Sequence, residues 1–283
     1  MSITTPAELL NALGNNSSRI VIDKSSIANL VAGQLFSLWR ATGQPGQGAI
    51  PGTTPAIPTS ATLGAMGFAN QTDPARSYLA TLSLTSANNA MSFEIHDRIA
   101  HMGGLVLNVT TSQVINGATG IDIGPAGLNV PAARIGDSDY SDVQWWLEVY
   151  SDGGATASNA TVNVTFGDGT SNNLAVIPVG GTLRAGRLIP LTPFIQAADQ
   201  GKFIRRVNSV ILSASTTVAG NFGFTATRRR CDLDVNVANK VERYKWQDLG
   251  FPTVPNDACL MLLGTTSTTS SGTLRGGGKI AHG

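Results

Sequence analysis

The amino-acid sequence predicts a mainly β protein: an antiparallel β-sandwich with a jelly-roll-like body, short N-terminal helices and extended arms. One observation behind this prediction is the alternation in residues 143–150, which places Val143, Trp145, Leu147 and Val149 on one face of a strand. Another is that further strand-like runs follow at intervals of roughly 12 to 16 residues, separated by Gly, Asn and Asp. Such spacing is typical of sandwiches and jelly rolls, and not of alternating strands and helices.

The second face of the 143–150 strand mixes aromatic and polar side chains, namely Gln144, Trp146, Glu148 and Tyr150. We expect a face of this kind to be partly covered or to contact another molecule. Large aromatic side chains provide much of the binding energy at protein interfaces. Trp146 and Tyr150, together with Trp39, are therefore the predicted partner-contact residues.

The composition indicates a globular protein that hides surface in contacts with other subunits. Hydrophobic residues make up 42% of the 283 residues, whereas charged residues make up only 13%, about half the usual share of roughly 25%. The net charge of +1 provides no field that would attract nucleic acid. The longest apolar run is far shorter than the ~20 residues of a membrane helix. Without a signal-peptide pattern, we expect synthesis in the host cytoplasm and no membrane insertion.

Three parts are predicted along the chain. Residues 1–60 contain N-terminal helices and an extended arm rich in proline and glycine, residues 61–263 form the β-sandwich body, and residues 264–283 form a flexible C-terminal tail. The tail is assigned as flexible because its threonine, serine and glycine residues show no periodicity. Within the body, Gly180 and Gly181 predict a turn.

The first part is expected to contain two helices. Thr5 suits the N-cap, Pro6 fits the first helical position and Glu8 completes a capping box, so a short amphipathic helix should end at Gly14. Apolar residues at helical spacing predict a second helix over residues 26–40.

Residues 42–59 contain four prolines and four glycines, which exclude a helix and a central strand. Structureless segments beyond ~12–15 residues are uncommon in a compact monomer. We therefore expect this arm to lie along a neighbouring subunit. Farther along the chain, a third helix is predicted over residues 237–249 and a last strand over residues 258–263.

The histidines and cysteines do not form a metal-binding pattern. His96 and His101 stand five positions apart, so a strand would direct them to opposite faces and they would not converge on one ion. Cys231 and Cys259 lack a CxxC or Cys/His spacing; we expect buried or free thiols, and a disulfide between them stays open. No Walker A or dinucleotide-binding fingerprint occurs, so we expect no metal and no cofactor.

A group of carboxylates at Asp137, Asp139 and Asp142 resembles the start of a calcium-binding loop. The glycine and the glutamate that such a loop needs at its sixth and twelfth positions are missing. We expect a solvated loop in which these carboxylates bind no ion.

Basic residues concentrate at positions 205–206 and 228–230. They provide a candidate contact with nucleic acid or with an acidic protein surface. Asp232 and Asp234 stand beside the second group, which favours local charge pairing over nucleic-acid binding.

Nothing in the sequence forms a catalytic signature. A GxSxG nucleophile motif is missing. A glycoside hydrolase needs two carboxylates in a cleft, and the candidates, Glu94 and Glu148, are expected to be strand residues that face solvent. We therefore expect a protein that is not an enzyme.

The stretch LFSLWRATGQPGQGAIP, residues 35–51, resembles a segment of structural proteins encoded near the head genes of tailed bacteriophages. The resemblance covers residues 26–60. It implies a virion component, namely a capsid decoration (cement) protein that binds the major capsid protein and forms homo-oligomers such as trimers. The long spine helix of the common tailed-phage capsid protein has no candidate in this sequence.

The low charge and the predicted arms agree with a decoration role, since both favour contact with a shell. The alternative within the virion is a tail, baseplate or receptor-binding component, in which Trp146 and Tyr150 would stack on sugar rings. Neither reading includes a membrane or nucleic acid as a partner.

Overall fold

The structure is a computed structural model that describes residues 2–179 and 183–283. The turn predicted at Gly180 and Gly181 lies outside the described residues. The mainly β prediction is confirmed, because the described residues form three antiparallel sheets and few, short helices.

The helices are α1 (Pro6–Asn15), α2 (Ala132–Ile135) and α3 (Trp246–Leu249), with short 3-10 turns at Asn116–Ala118, Thr192–Phe194 and Ala197–Asp199. The strands are β1 (Ser17–Lys24), β2 (Leu35–Ser37), β3 (Gly43–Gln44), β4 (Ser77–Ser86), β5 (Met91–Leu105), β6 (Gln113–Val114), β7 (Ile121–Asp122), β8 (Gln144–Ser151), β9 (Asn159–Phe166), β10 (Ser171–Asn173), β11 (Ile177–Pro178), β12 (Leu188–Pro190), β13 (Ile204–Leu212), β14 (Asn221–Val235), β15 (Glu242–Lys245), β16 (Thr253–Val254), β17 (Leu260–Thr265) and β18 (Leu274–His282).

The chain divides into two compact units. Unit 1 comprises the described part of residues 1–49 with residues 58–97 and 229–283, and unit 2 comprises residues 50–57 with the described part of 98–228. The strands β5 and β14, of 15 residues each, contribute residues to both units.

Unit 1 is a two-layer sandwich. One sheet has the strand order β15-β4-β18-β1-β3, with β16 also paired to β4, and the other places β17 between β2 and the first half of β5. Alternating residues of both sheets share one apolar core, which includes Ile22 of β1, Leu84 of β4, Ile95 of β5 and Leu262 of β17. Burial on alternate positions is what the period of a strand requires.

Unit 2 is also a two-layer sandwich with its own core. One sheet has the order β10-β9-β13-β6, with β7 on β13 and β11 on β9, and the other joins β12 and β8 to the first half of β14. Trp145, Leu147 and Val149 of β8 lie in this core with residues such as Val164 of β9 and Val210 of β13. The predicted apolar face of the 143–150 strand is therefore confirmed.

The first helix is confirmed, with α1 ending one residue beyond Gly14. The Glu8 backbone N–H donates to Thr5 Oγ1 over 3.2 Å, and the Thr5 N–H donates to Glu8 Oε2 over 3.0 Å, as the capping box requires. Leu9 and Ala12 pack on Ala80 and Ala281 of the first sheet of unit 1.

The helix predicted over residues 26–40 is wrong. Asn29 and Gly33 have φ of 60° and 77°, which a right-handed helix does not accept. The segment instead pairs along β17, where Leu38 N–H donates to the Leu262 carbonyl over 3.1 Å. Pairing with a strand that is distant in sequence thus outweighs the local helical spacing.

The helix predicted over residues 237–249 is also wrong for most of its length. Asn239 has a φ of 59°, and residues from Glu242 pair with β4 as strand β15. Only the last turn is helical, as α3, and Gly250 ends it with a left-handed φ of 72°.

Residues 42–59 are largely without regular secondary structure, as predicted, and hydrogen bonds within the chain hold parts of the segment. In unit 1, the buried Lys24 ammonium donates to the carbonyls of Ala41 and Pro45 over 3.0 and 2.6 Å. In unit 2, Ala56 exchanges backbone hydrogen bonds with His101.

The flexible tail predicted over residues 264–283 is wrong as well. Leu274–His282 forms β18, which pairs with β1 on one side and with β4 on the other. Residues 276–278 are glycines, so β18 has no side-chain alternation that could have indicated a strand. The last strand predicted over residues 258–263 is confirmed as β17, which begins at Leu260.

Candidate interaction surface and charged cleft

The three predicted partner-contact residues are buried inside the chain. Trp39, Trp146 and Tyr150 expose 1%, 4% and 2% of their surface. Trp39 Nε1 donates to the Ala49 carbonyl over 2.9 Å, and Trp146 Nε1 donates to Thr227 Oγ1 over 2.8 Å. Their aromatic surface stabilises the interior and is not available to a partner, which corrects the prediction.

Tyr150 belongs to a buried polar network in unit 2. Arg98 Nη1 lies 2.8 Å from Glu148 Oε2, and Arg98 Nη2 donates to Tyr150 Oη and Thr225 Oγ1 over 2.9 and 3.0 Å. Glu148 Oε2 also accepts from Thr225 Oγ1 over 2.6 Å and from Tyr150 Oη over 3.1 Å. Burial, together with the Glu148 carboxylate, raises the pKa of Tyr150, so its hydroxyl stays protonated and can donate.

His101 closes this network. Its Nδ1 accepts a hydrogen bond from Arg98 Nε over 2.8 Å, which requires a neutral ring. Burial, assisted by the charge of Arg98, lowers the pKa of His101 from 6.5 to about 2.

The expectation that Glu148 faces solvent is wrong, since the residue is 1% exposed. Its carboxylate is enclosed and already holds the Arg98 guanidinium, so a substrate cannot reach it. Glu94 is not a free surface carboxylate either, because its Oε2 lies 2.6 Å from His96 Nε2 in unit 1. The pair lowers the pKa of Glu94, chiefly through the hydrogen bond from His96. Both carboxylates therefore form pairs within the chain, Glu148 with Arg98 and Glu94 with His96.

The remaining charged candidates form local ion pairs. Arg228 Nη2 lies 2.6 Å from Asp142 Oδ2 in unit 2. In unit 1, Arg229 Nη1 lies 3.2 Å from Asp232 Oδ1, which confirms the local pairing predicted there. Asp139 Oδ1 accepts from the Ser141 N–H over 3.0 Å and so stabilises a turn.

Cys231 and Cys259 are both free and buried, which settles the alternative of a disulfide. Burial raises the pKa of Cys231 to about 12. Within the described ranges, 2–179 and 183–283, no group of three or more His, Cys, Asp or Glu side chains is arranged to hold a metal ion. None of the helices in the described part of the chain is long and apolar enough to cross a membrane.

The β10-β9-β13-β6 sheet of unit 2 turns one face to its core and the other outward. The uncharged residues on the outward side form what we call the uncharged face: Val114, Thr161, Asn163, Thr165, Ser171, Asn173, Asn208, Ser209 and Ile211. Arg206, which pairs with Thr165, points to the same side of the sheet. Among all strand residues of this sheet, including β7 and β11, the charged ones are Asp122, Arg205 and Arg206. Val114 and Ile211 expose 53% and 44% of their surface here.

The polar side chains of the uncharged face bind one another. Asn208 Nδ2 donates to Asn163 Oδ1 over 2.8 Å and to Thr165 Oγ1 over 3.0 Å, and Asn163 Nδ2 donates to Asn173 Oδ1 over 2.7 Å. Cross-strand hydrogen bonds of this kind fix the orientation of amides and hydroxyls before any partner arrives. The face therefore presents an ordered, neutral surface with two exposed aliphatic groups.

The three charged residues of the sheet gather at a cleft of about 580 Å³, which we call the charged cleft. The chain from Asn116 to Leu128 forms one wall, and Arg205 and Arg206 form the other. Arg205 Nε lies 3.3 Å from Asp122 Oδ1, at an angle that does not make a hydrogen bond.

Part of this site could be recognised from the sequence. The basic pair at positions 205–206 was visible as a concentration of charge, and the alternation of Asn163 and Thr165 with valines marked an outward face. Neither pattern shows that both arginines reach one cleft, because this depends on a β-bulge in β13.

No protein-family model matches the chain, and no curated protein sequence matches it. Among solved structures, that of infectious bursal disease virus, Gt strain, aligns over 94% of this chain and 80% of its own, with 9% identity and a TM-score of 0.18. A VP2 subviral particle of the same virus aligns over 94% and 79%, with 11% identity and a TM-score of 0.16. These neighbours belong to viral capsids, but TM-scores this low establish neither a shared fold nor a shared function.

Proposed function

We propose that the protein is a structural component of a tailed-phage virion, which binds and stabilises the capsid shell as a decoration protein. It would act by binding and not by catalysis, and its partners would be the major capsid protein and further copies of itself. The observation that carries this proposal is the uncharged face of unit 2. Interface cores are depleted of charged residues, because charges are costly to remove from water.

The physical basis of such a contact would be an ordered neutral surface. Val114 and Ile211 would lose apolar area to solvent, while the amides of Asn163 and Asn208 would exchange hydrogen bonds with water for hydrogen bonds with the shell. Each contact would be weak by itself. Repetition over a symmetric lattice, combined with contacts between copies, would convert weak single contacts into strong retention.

The resemblance of residues 35–51 to phage head-region proteins points to the same class. The tail or receptor-binding alternative has less support from the geometry, because Trp146 and Tyr150, the residues expected to stack on sugars, are buried. The experiment below distinguishes this alternative from the decoration role.

The test is cosedimentation of purified protein with virions and empty heads stripped of their native copies. Ile211→Lys places a charge on the uncharged face, and Val21→Lys is the matched control, since Val21 is a β1 residue of nearly equal exposure, 45% against 44%. We expect wild type and Val21→Lys to rebind at a fixed ratio to shell protein. Ile211→Lys should bind about tenfold or more weakly, since it buries an unpaired charge.

One result would contradict the decoration role, and another would contradict the contact surface assigned to it. Protein that fails to rebind heads but is retained on purified tails or host envelopes would support the alternative. Heads that bind wild type and Ile211→Lys equally well would retain the decoration role but exclude the uncharged face as its contact.

A further inference from the structure

We propose that the charged cleft of unit 2 is a binding site for a single carboxylate, held by Arg206. The site consists of Arg205, Arg206 and Asp122, with backbone of the 116–128 segment as its opposite wall. Its position beside the uncharged face follows from strand register, since Arg206 pairs with Thr165 of that face.

A β-bulge brings the two arginines together. Ile204 stands opposite Phe166 and Arg206 opposite Thr165, so Arg205 is the extra residue between consecutive pairs. In a regular strand, successive side chains point to opposite faces, and one arginine would enter the core. The bulge instead lets both guanidinium groups line the same cleft, a known means of redirecting side chains at functional sites.

The glycines of the opposite wall keep it close to the arginines. Gly120 has a φ of 71°, and a Cβ at this position would lie 2.6 Å from the Val207 carbonyl and 3.0 Å from Arg206 Cγ. A larger residue would therefore push the wall away from the stem of Arg206. This wall of the cleft is therefore backbone that packs against the aliphatic stem of Arg206.

The two arginines differ in their partners. Arg205 is neutralised by Asp122, whose Oδ1 also accepts the Gly124 N–H over 2.8 Å. Arg206 has no ion pair with any described residue, and its buried Nε has no hydrogen-bond partner among them. Arg205 Nε is enclosed in the same way, so the difference between the two arginines is the ion pair. An incoming carboxylate would neutralise the Arg206 guanidinium, whose charge no described carboxylate balances, through its terminal nitrogens.

The net charge of the cleft favours a ligand with one negative charge. Two guanidinium groups and one carboxylate leave a net charge of +1, which one carboxylate neutralises. A phosphate dianion would place surplus negative charge beside Asp122, which is 6% exposed and cannot be screened well by water. The planar guanidinium fork also matches the two oxygens of a carboxylate.

The carboxylate can come from free solution or from an acidic side chain of a bound protein. We assign it to an acidic side chain of the shell partner, and this assignment rests on the proposed function. The site itself does not, so the two parts are tested separately.

The first arm uses the free protein. The Nε–H resonances of arginines are followed in ¹⁵N-labelled protein during titration with acetate and, separately, with inorganic phosphate. We expect a saturable shift of the Arg206 resonance with acetate, and weaker binding of phosphate. In variants of Arg206 the readout is the resonance of Arg205, which lines the same cleft. Arg206→Lys keeps the charge but loses the fork, so acetate should bind more weakly, and Arg206→Gln should abolish the saturable shift.

The control is Arg275→Gln, which removes an exposed arginine of unit 1 and should leave the titration unchanged. An Arg206 resonance that does not respond to either anion would overturn the site. Tighter binding of phosphate than of acetate would overturn the assignment to a carboxylate.

The second arm uses stripped heads. Arg206→Gln should reduce rebinding by about tenfold relative to wild type and Arg275→Gln, as expected for the loss of one paired charge at an interface. If wild type does not rebind at all, the proposed function fails and the acetate titration still decides the site. If wild type and Arg206→Gln rebind equally, the function stands and the partner carboxylate is excluded.

Discussion

At the scale of single residues, the Arg98–Glu148 pair of unit 2 shows how a buried charge determines stability. Both side chains are almost completely enclosed, with exposures of 0% and 1%. Removing two charges from water is costly, and their attraction together with the hydrogen bonds from Thr225 and Tyr150 offsets this cost only while every partner is present. The network therefore specifies one arrangement of this interior.

We predict that Arg98→Met destabilises the protein by about 3–5 kcal/mol, because it leaves the Glu148 carboxylate buried without its cation. Denaturant unfolding measures the change. The control is Arg184→Met, which breaks an exposed ion pair with Asp152 and should cost at most about 1 kcal/mol. Equal losses in the two variants would show that the buried pair contributes no more than a surface pair.

His101 predicts a dependence of stability on pH. Its folded pKa of about 2 lies below the ordinary value of 6.5, so the unfolded chain binds one more proton between these pH values. Stability conferred by the neutral ring is complete above 6.5 and declines as the pH falls, by about 1.4 kcal/mol per pH unit. His101→Gln retains an acceptor for Arg98 but cannot titrate.

We therefore expect the free energy of unfolding to fall less steeply in His101→Gln than in wild type between pH 6.5 and 5. Groups common to both proteins cancel in this comparison. Identical slopes would mean that the pKa of His101 is the same in the folded and unfolded protein, and hence that its bond to Arg98 is not formed as described.

Prediction of burial from the sequence succeeded where burial depended only on the alternation within one strand. The alternation around Trp145 and Leu147 predicted the core side correctly. Trp146, Glu148 and Tyr150 were also assigned correctly to a second face, but their burial depends on chain that covers this face. The sequence of the strand itself does not show that other parts of the chain cover its second face, so the exposure of these three residues was predicted wrongly.

At the scale of elements, β18 shows what glycine does inside a sheet. Gly276 stands opposite Ile22 of β1 and Leu84 of β4. A Cβ at Gly276 would lie 2.0 Å from the Ser83 carbonyl, which belongs to the backbone and cannot move aside without breaking strand pairing. The absence of a side chain is thus a requirement of the close approach between β18 and β4.

We predict that Gly276→Ala destabilises unit 1 by about 1–3 kcal/mol, through overpacking against this carbonyl. Gly14→Ala is the matched control, because a Cβ at Gly14 meets no atom within 4 Å, and alanine should stabilise the exposed helix by about 0.5–1 kcal/mol. Amide hydrogen exchange measures both changes, in β4 and β18 for Gly276→Ala and in α1 for Gly14→Ala. Unchanged exchange in Gly276→Ala would show that the sheet accommodates a methyl group.

Helices and strands were predicted correctly where the interactions that form them lie close together in the sequence. The capping box of Thr5 and Glu8 predicted α1, because the cap is formed within four residues. The segment 26–40 carries helical spacing, yet its hydrogen bonds go to β17, more than 200 residues away in sequence. Pairing between residues so far apart in sequence does not affect the local periodicity, so it could not be predicted from it. In β18, the consecutive glycines also remove the side-chain alternation that indicates a strand.

At the scale of the whole molecule, the positions of the few charged residues determine which surfaces are available for contact. Charged residues account for 13% of the sequence, and many of them are used in ion pairs within a unit, such as Arg228 with Asp142 and Arg230 with Asp97. Composition predicted a contact protein but could not locate the contact. Only the sheet topology shows that uncharged side chains gather on the outward side of one sheet of unit 2, with Arg206 beside them.

This distribution predicts how binding to heads responds to salt. An interface that is neutral except for one ion pair at Arg206 should weaken only modestly with ionic strength, by at most roughly tenfold for a tenfold rise in salt. Arg206→Gln should bind more weakly than wild type and lose the remaining salt dependence. Cosedimentation with stripped heads over a series of sodium chloride concentrations measures both. A steep loss of wild-type binding, of the size seen when many charges are neutralised on association, would place the contact on a charged surface and contradict the role of the uncharged face.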